Sequence, residues 1–212
     1  MTWFSNRTSR SIIINDLEAR AAQTGASVAY IYFNYKNLTV QTPSNLVSSI
    51  LQQLVICRGA VGQELATAYK QHKKKKSRPT FDEWVDLAQA EARRHLKMFM
   101  VVDALDEAEP HTRNVILDVL RKMPNVNLLL TSRPAVALDE WMPDVDRLDI
   151  LARDEDLRKY IVGRLPKEHR LLRYVKDEAS LGELIAQTVT RAAQGMQVSR
   201  ILNKPGQIRG SR

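Results

Sequence analysis

A chain of 212 residues, 44% hydrophobic and 26% charged, can bury one core with room for a small appended segment. Its one cysteine, Cys57, excludes an intramolecular disulfide and fits a reducing compartment, so a cytoplasmic location is expected. Net charge of +8 and a pI near 9.7 permit an anionic partner without requiring one. No run approaches the ~18 apolar residues of a membrane span, so no membrane partner is expected, and the scattered histidines offer neither a zinc site nor a His-based triad.

In chain order, "SIIINDLEAR" (residues 11–20) starts a helix, and "ASVAYIYFNY" (26–35), rich in β-branched and aromatic residues, reads as a buried strand. "TPSNLVSSILQQLVIC" opens with Thr42 as N-cap and Pro43 at the first helical position, and its Leu46, Val47, Ile50, Leu51, Leu54 and Val55 recur at helical spacing. A helix over Gln63 to His72 follows. The basic run "KQHKKKKSR" (Lys70 to Arg78) reads as a solvated linker, with nuclear import or a nucleic-acid patch as the rival. "TFDEWVDLAQAEARRHL" begins with a capping box, Thr80 with Glu83, and its inward face is expected to hold Phe81, Trp84, Val85, Ala88 and Leu96.

"MFMVVDALDEAE" (98–109) changes character halfway. A continuous apolar strand ends at Asp103, and Asp106 and Glu107 follow at once. "HTRNVILDVLRKM" is a helix with Val115, Val119 and Leu120 inward, and "NVNLLLTSRP" is a second apolar strand, ending at Thr131 and stopped by Pro134. "DRLDIL" is a short last strand. Two helices follow, one capped by Asp154 and one opened by a Ser180–Glu183 capping box, before a basic tail from Gln197 expected to be frayed.

Apolar strands alternating with helices predict an α/β fold, a parallel sheet covered on both faces. Ligands gather at the carboxyl ends of such strands, where Asp103, Asp106, Glu107, Ser132 and Arg133 stand. An Asp fixed at the tip of a buried strand is the Walker B signature of P-loop NTPases, which holds Mg²⁺ through water while a nearby acid orients the attacking water. An Asp that merely caps the following turn has the same local pattern. The second polar strand end, one helix later, makes the pair more specific than either signal alone.

With "MFMVVDALDEAE" and "NVNLLLTSRP" in place, the chain resembles the NACHT class of STAND signalling NTPases. Within it, the chain is similar to the nephrocystin-3-like N-terminal domain, the fungal kind found beside ankyrin and other repeats. "VAYIYFNYKN", "TPSNLVSSILQQL", "SRPTFDEWVDL" and "LDILARDEDLRKYIVGRL" match successive elements of that family, and Ala104, Asp106 and Glu107 match its spacing after the magnesium Asp. The resemblance covers residues 12–196. It implies Mg²⁺ and ATP or GTP as cofactors, with Asp103 on Mg²⁺, Asp106 or Glu107 orienting water, and Arg133 sensing phosphate. Other NTPase domains or repeat-domain signalling proteins are the implied partners.

The departure lies in the Walker A loop. The family's form is GxxxxGK[ST], and this chain has no Gly-Lys pair. "NRT" (Asn6 to Thr8) stands near where Gly-Lys-Thr belongs, so Arg7 would take the place of the nucleotide-binding lysine and Thr8 that of the nucleotide- and metal-binding threonine. The expected fold is therefore a P-loop NTPase-type sheet truncated at the Walker A loop and lacking its first, central strand, plus a small C-terminal helical segment. Residues 1–152 would form the incomplete domain, 153–196 the helical segment and 197–212 a basic disordered tail. The lost strand would lie between those ending at Asp103 and Thr131, leaving a gap or a forced direct pairing and an aggregation-prone or molten chain.

Three functions follow: a NACHT-type signalling NTPase domain, inactive or incomplete without its Walker A loop; a non-hydrolysing protein-interaction module; and a basic nucleic-acid binder using Lys73 to Lys76 and "RLPKEHRLLRYVK" (164–176). The third is least favoured, because no aromatic–basic interleaving or recognised motif supports it.

Overall fold

The computed structural model describes residues 12–133, 136, 146–151, 153–168, 174, 179–193 and 197–203. The chain divides into two compact units, one of Met1–Arg147 with Arg200–Arg212 and the other of Leu148–Ser199.

The first unit is built on parallel strands β1 (Ser27–Tyr32), β2 (Met98–Asp103) and β3 (Val126–Ser132). β2 pairs β1 from Ser27↔Met98 to Tyr32↔Asp103 and pairs β3 from Met98↔Val126 to Val102↔Leu130. Two further strands, β4 (Asp146–Leu151) and β5 (Gln197–Asn203), complete the strand order β1-β2-β3-β5-β4. The basic tail expected to be frayed therefore begins as a strand. Of the two outcomes foreseen between β2 and β3, the structure has direct pairing. The ladder begins with the Met98 N–H donating to the Asn125 carbonyl at 2.9 Å.

The register puts Ala29, Ile31 and Phe33 on one face with Met98, Met100, Val102, Val126, Leu128 and Leu130. All are buried, in one core with residues from α2 (Pro43–Arg58), α4 (Phe81–Arg93) and α5 (Pro110–Arg121). On the opposite face Val101 is buried, whereas Tyr30, Tyr32, Phe99 and Leu129 are half-buried. Helix α1 (Ile12–Thr24) packs beside β1.

Local chemistry fixes the element ends. The Thr42 hydroxyl caps α2 by accepting from the Asn45 N–H at 3.3 Å, with Pro43 following. The Thr80–Glu83 capping box forms in both directions, at 3.3 and 2.7 Å. β1 stops short of the expected Tyr35 because Asn34 accepts from the Lys36 N–H at 2.9 Å and nucleates a 3₁₀ turn over Tyr35–Asn37. Helix α3 (Gln63–Lys75) continues through most of the lysine run read as a linker. Leu96, expected to face inward, lies beyond the end of α4 and is 96% exposed. In α5, Ile116 and Leu117 are buried where Val115 was expected, and Val115 is only half-buried.

The second unit contains α6 (Asp154–Arg164) and α7 (Ala179–Ala193), which bury Ile161, Leu165 and Ala186 together. Asp154 is the first helical residue rather than the cap; Arg153 takes that position without a side-chain bond. Ser180 already lies inside α7. The Glu183 carboxylate accepts from Arg158 at 2.8 and 2.9 Å and from Gln187 instead of closing a capping box. These bonds, Gln187 first, hold its carboxyl below the usual range.

Candidate functional site

β2 and β3 end side by side, so the side chains at their tips meet. Asp103 and Thr131 share one face of the sheet, and the Thr131 hydroxyl donates to the Asp103 carboxylate at 2.5 Å. The same hydroxyl oxygen accepts from the Ala104 N–H at 3.0 Å. Thr131 thus fixes both the acid and the turn that follows it. Ala104 is left-handed, with φ 56° and ψ 49°, a conformation that penalises branched and bulky side chains. A small residue after the acid therefore has a backbone reason. The chain then tightens into a 3₁₀ turn, Leu105–Glu107, whose buried Leu105 anchors it to the core.

That turn aims its two acids in different directions. Asp106 turns to β3: one oxygen accepts from the Arg133 N–H at 3.1 Å, and the other lies 3.3 Å from the Arg133 Nε. The Arg133 side chain is 72% exposed and that of Asp106 only 16%. The charge pair itself is thus screened and contributes no more than ~1 kcal/mol, while the backbone bond fixes its direction. Glu107 turns to β1 and accepts from the Tyr35 N–H at 3.3 Å. Glu109, one residue pair further on, caps α5 by accepting from the His111 and Thr112 N–H groups at 3.0 and 2.7 Å. Those bonds, His111 first, hold its carboxyl below the usual carboxylate range.

Asp103, Asp106, Glu107 and Arg133 are thereby gathered at one carboxyl edge. Arg7 and Thr8 lie outside the described residues. Thr131 and Glu109 carried no expected role. Thr131 could have been found from its register opposite the acid, and Glu109 from the acid-Pro pair that opens a helix. Among the described residues no group of three or more His, Cys, Asp or Glu is placed to hold a metal ion. Asp103 bonds Thr131 through one oxygen only, which leaves the other for a hydrated cation. Mg²⁺ keeps several waters and commonly takes only one or two carboxylates, so the donor set fits such an ion.

An α/β domain with a buried parallel strand tipped by an acid, and a second acid in the following turn held to the arginine just past the next strand, is the class this geometry defines. The family model described as nephrocystin 3, N-terminal, matches residues 8–133, and the chain belongs to that family. No curated protein and no solved structure matches the chain. No helix among the described residues is long and apolar enough to cross a membrane.

Proposed function

We propose that this chain is a NACHT-type signalling NTPase domain, of the kind that serves as a nucleotide-dependent switch, and that it is inactive or incomplete without the Gly-Lys pair of a Walker A loop. The observation that carries this reading is the double contact between Arg133 and Asp106. It joins the phosphate-sensing cation and the water-orienting acid into one closed pair. For the Arg133 side chain to reach a phosphate it must leave Asp106, and the same movement frees one carboxylate oxygen while the other stays on the Arg133 N–H. Asp103 would hold Mg²⁺ through water with its free oxygen, and the ion would supply charge neutralisation to the phosphates of ATP or GTP. Asp106 or Glu107 would orient water, and Arg7 and Thr8 would meet phosphate and metal.

A second reading draws on the same contacts. The acids at the tip, Asp103, Asp106 and Glu107, are partnered within the chain without ligand, which suits a module that binds partner NTPase domains or repeat-domain signalling proteins without hydrolysis.

A glycine-rich loop with its lysine donates several charge-assisted bonds of about 1.5–3 kcal/mol each, and this chain has no Gly-Lys pair. Losing three removes on the order of 5–9 kcal/mol, against about 8 kcal/mol for a micromolar site. Calorimetry with ATP or GTP and Mg²⁺ is therefore expected to give no micromolar binding, and hydrolysis is expected at background. A micromolar constant that disappears in Asp103→Ala would overturn the claim of inactivity.

A further inference from the structure

The carboxyl-terminal half of α3 carries more positive charge than its fold explains. Lys70, Lys73, Lys74, Lys75, Lys76 and Arg78 are all exposed, and no Asp or Glu occurs between Glu64 and Asp82. A helix C-terminus is satisfied by a cation or two in its last turn. Here like charges stand at i,i+3 and i,i+4 (Lys70 with Lys73 and Lys74), an arrangement that destabilises a helix. The helix then ends on Lys76 with φ 49°, where glycine is the low-cost residue.

Among the described residues no acid relieves this repulsion. The nearby Glu83 carboxylate is taken by the Thr80 N–H and faces the His72 ring at 3.5 Å, and that ring also meets the Ser77 hydroxyl at 2.8 Å. Among the described residues, Lys70, Lys74, Lys75, Lys76 and Arg78 make no ion pair. The exposed Tyr69 lies beside them, with the Lys73 ammonium 5.7 Å from its ring centroid.

We propose that this face of α3 binds single-stranded nucleic acid. Lysines spaced one helical turn apart meet successive phosphates, and Tyr69 offers the stacking surface that an unpaired base requires. Tyr69 precedes Lys70 directly in the sequence, and the structure adds that its ring is exposed beside the Lys73 ammonium. A duplex hides its bases from such a ring. A bilayer requires an apolar face to insert, and Tyr69 is the one large apolar side chain exposed on α3. α3 contributes no side chain to the β2–β3 tip, so the proposal stands apart from the nucleotide reading.

The test is fluorescence anisotropy of the full chain with a labelled mixed-sequence single-stranded RNA and its DNA counterpart. With four phosphates engaged, affinity falls about 50-fold between about 50 and 200 mM salt. Lys70→Gln with Lys74→Gln lowers the logarithmic salt slope by about 1.4. Tyr69→Ala weakens binding roughly tenfold and leaves the slope unchanged. These positions are exposed, and an unchanged thermal melt confirms that the variants fold. Absence of binding at about 50 mM salt, binding indifferent to the lysine changes, or binding to phosphatidylserine vesicles in place of the oligonucleotides would each overturn the proposal.

Discussion

His95 is buried between the start of β1 and the end of α4. Its Nδ1 lies 2.6 Å from the Ser27 hydroxyl, while its Nε2 has no hydrogen-bond partner and stands 4.0 Å from the Glu91 carboxylate. Burial pushes its pKa below the ordinary 6.5; Glu91 opposes this, and Arg58 and Arg94 add to it. Between that lowered value and about 6.5 the unfolded chain binds more protons than the folded one, so stability rises with pH across this window and is lost as pH falls through it. Urea midpoints are expected to drop from about pH 7.5 to about pH 5, and His95→Gln should flatten the drop. The lowered carboxyls Glu83, Glu109 and Glu183 lose their contribution mainly as pH falls through and below their ordinary 4.5, and they do so equally in both proteins. An equal drop in both proteins would remove His95 as its source. At this scale the sequence revealed where Asp103, Asp106, Glu107 and Arg133 stand, because spacing along strands decides that. It did not reveal whom they bond. Only the β2–β3 register shows that Thr131 takes Asp103 and that Arg133 turns back to Asp106.

β1 ends the sheet, and an exposed strand edge is a template for aggregation. Here side chains cover it. Its even-numbered residues point their backbone groups away from β2 and meet the Cys57 thiol at the Val28 carbonyl, Gln53 at Tyr30, and Gln41 at the Tyr32 carbonyl and Asn34 N–H. Gln53 both donates and accepts, at 3.0 and 2.9 Å, and so replaces one residue of a missing neighbour strand. Gln53→Leu keeps the volume near and removes both bonds. It is expected to cost ~1–3 kcal/mol for each group left dry and to raise association through the bared edge. Denaturant titration and sedimentation check this; an unchanged midpoint with unchanged sedimentation would show that water serves the edge equally well. The helix α2 itself was legible from its apolar spacing and its Thr42-Pro43 start. Gln53 was not, because a polar residue beside Ile50 and Leu54 breaks the pattern by which a buried face is recognised. The lysine run was misread for a related reason. Composition signals solvation, and an exposed helix face is as solvated as a linker.

At the scale of the first unit, the arrangement of β2 decides stability. A sheet opened between β2 and β3 would leave two rows of backbone groups unpaired at ~1–3 kcal/mol each when buried, enough to exhaust a net stability of ~5–15 kcal/mol. The structure avoids that cost, because β2 has β1 on one side and β3 on the other along its length. The face formed by Met98, Met100, Val102, Leu128 and Leu130 is covered by Ile50, Leu54, Ala88, Ala92, Ile116 and Leu120, all essentially inaccessible. The alternation of apolar strands and helices made this α/β layering readable. Pairing between segments distant in sequence was not readable, since it depends on which edges are left to meet. The sequence leads to an aggregation-prone or molten chain with either a gap or direct pairing, in the second case because the helices over the sheet would leave voids. With that face covered as described, cooperative unfolding is expected instead, with near-UV dichroism lost together with the far-UV signal. Leu130→Ala, at a fully buried position of β3, should lower stability by ~2–5 kcal/mol without changing the denaturant slope. If near-UV signal is weak from the outset, or the two signals are lost at different denaturant concentrations, β2 and β3 are not packed in solution as they are here, and the direct pairing would have to be abandoned.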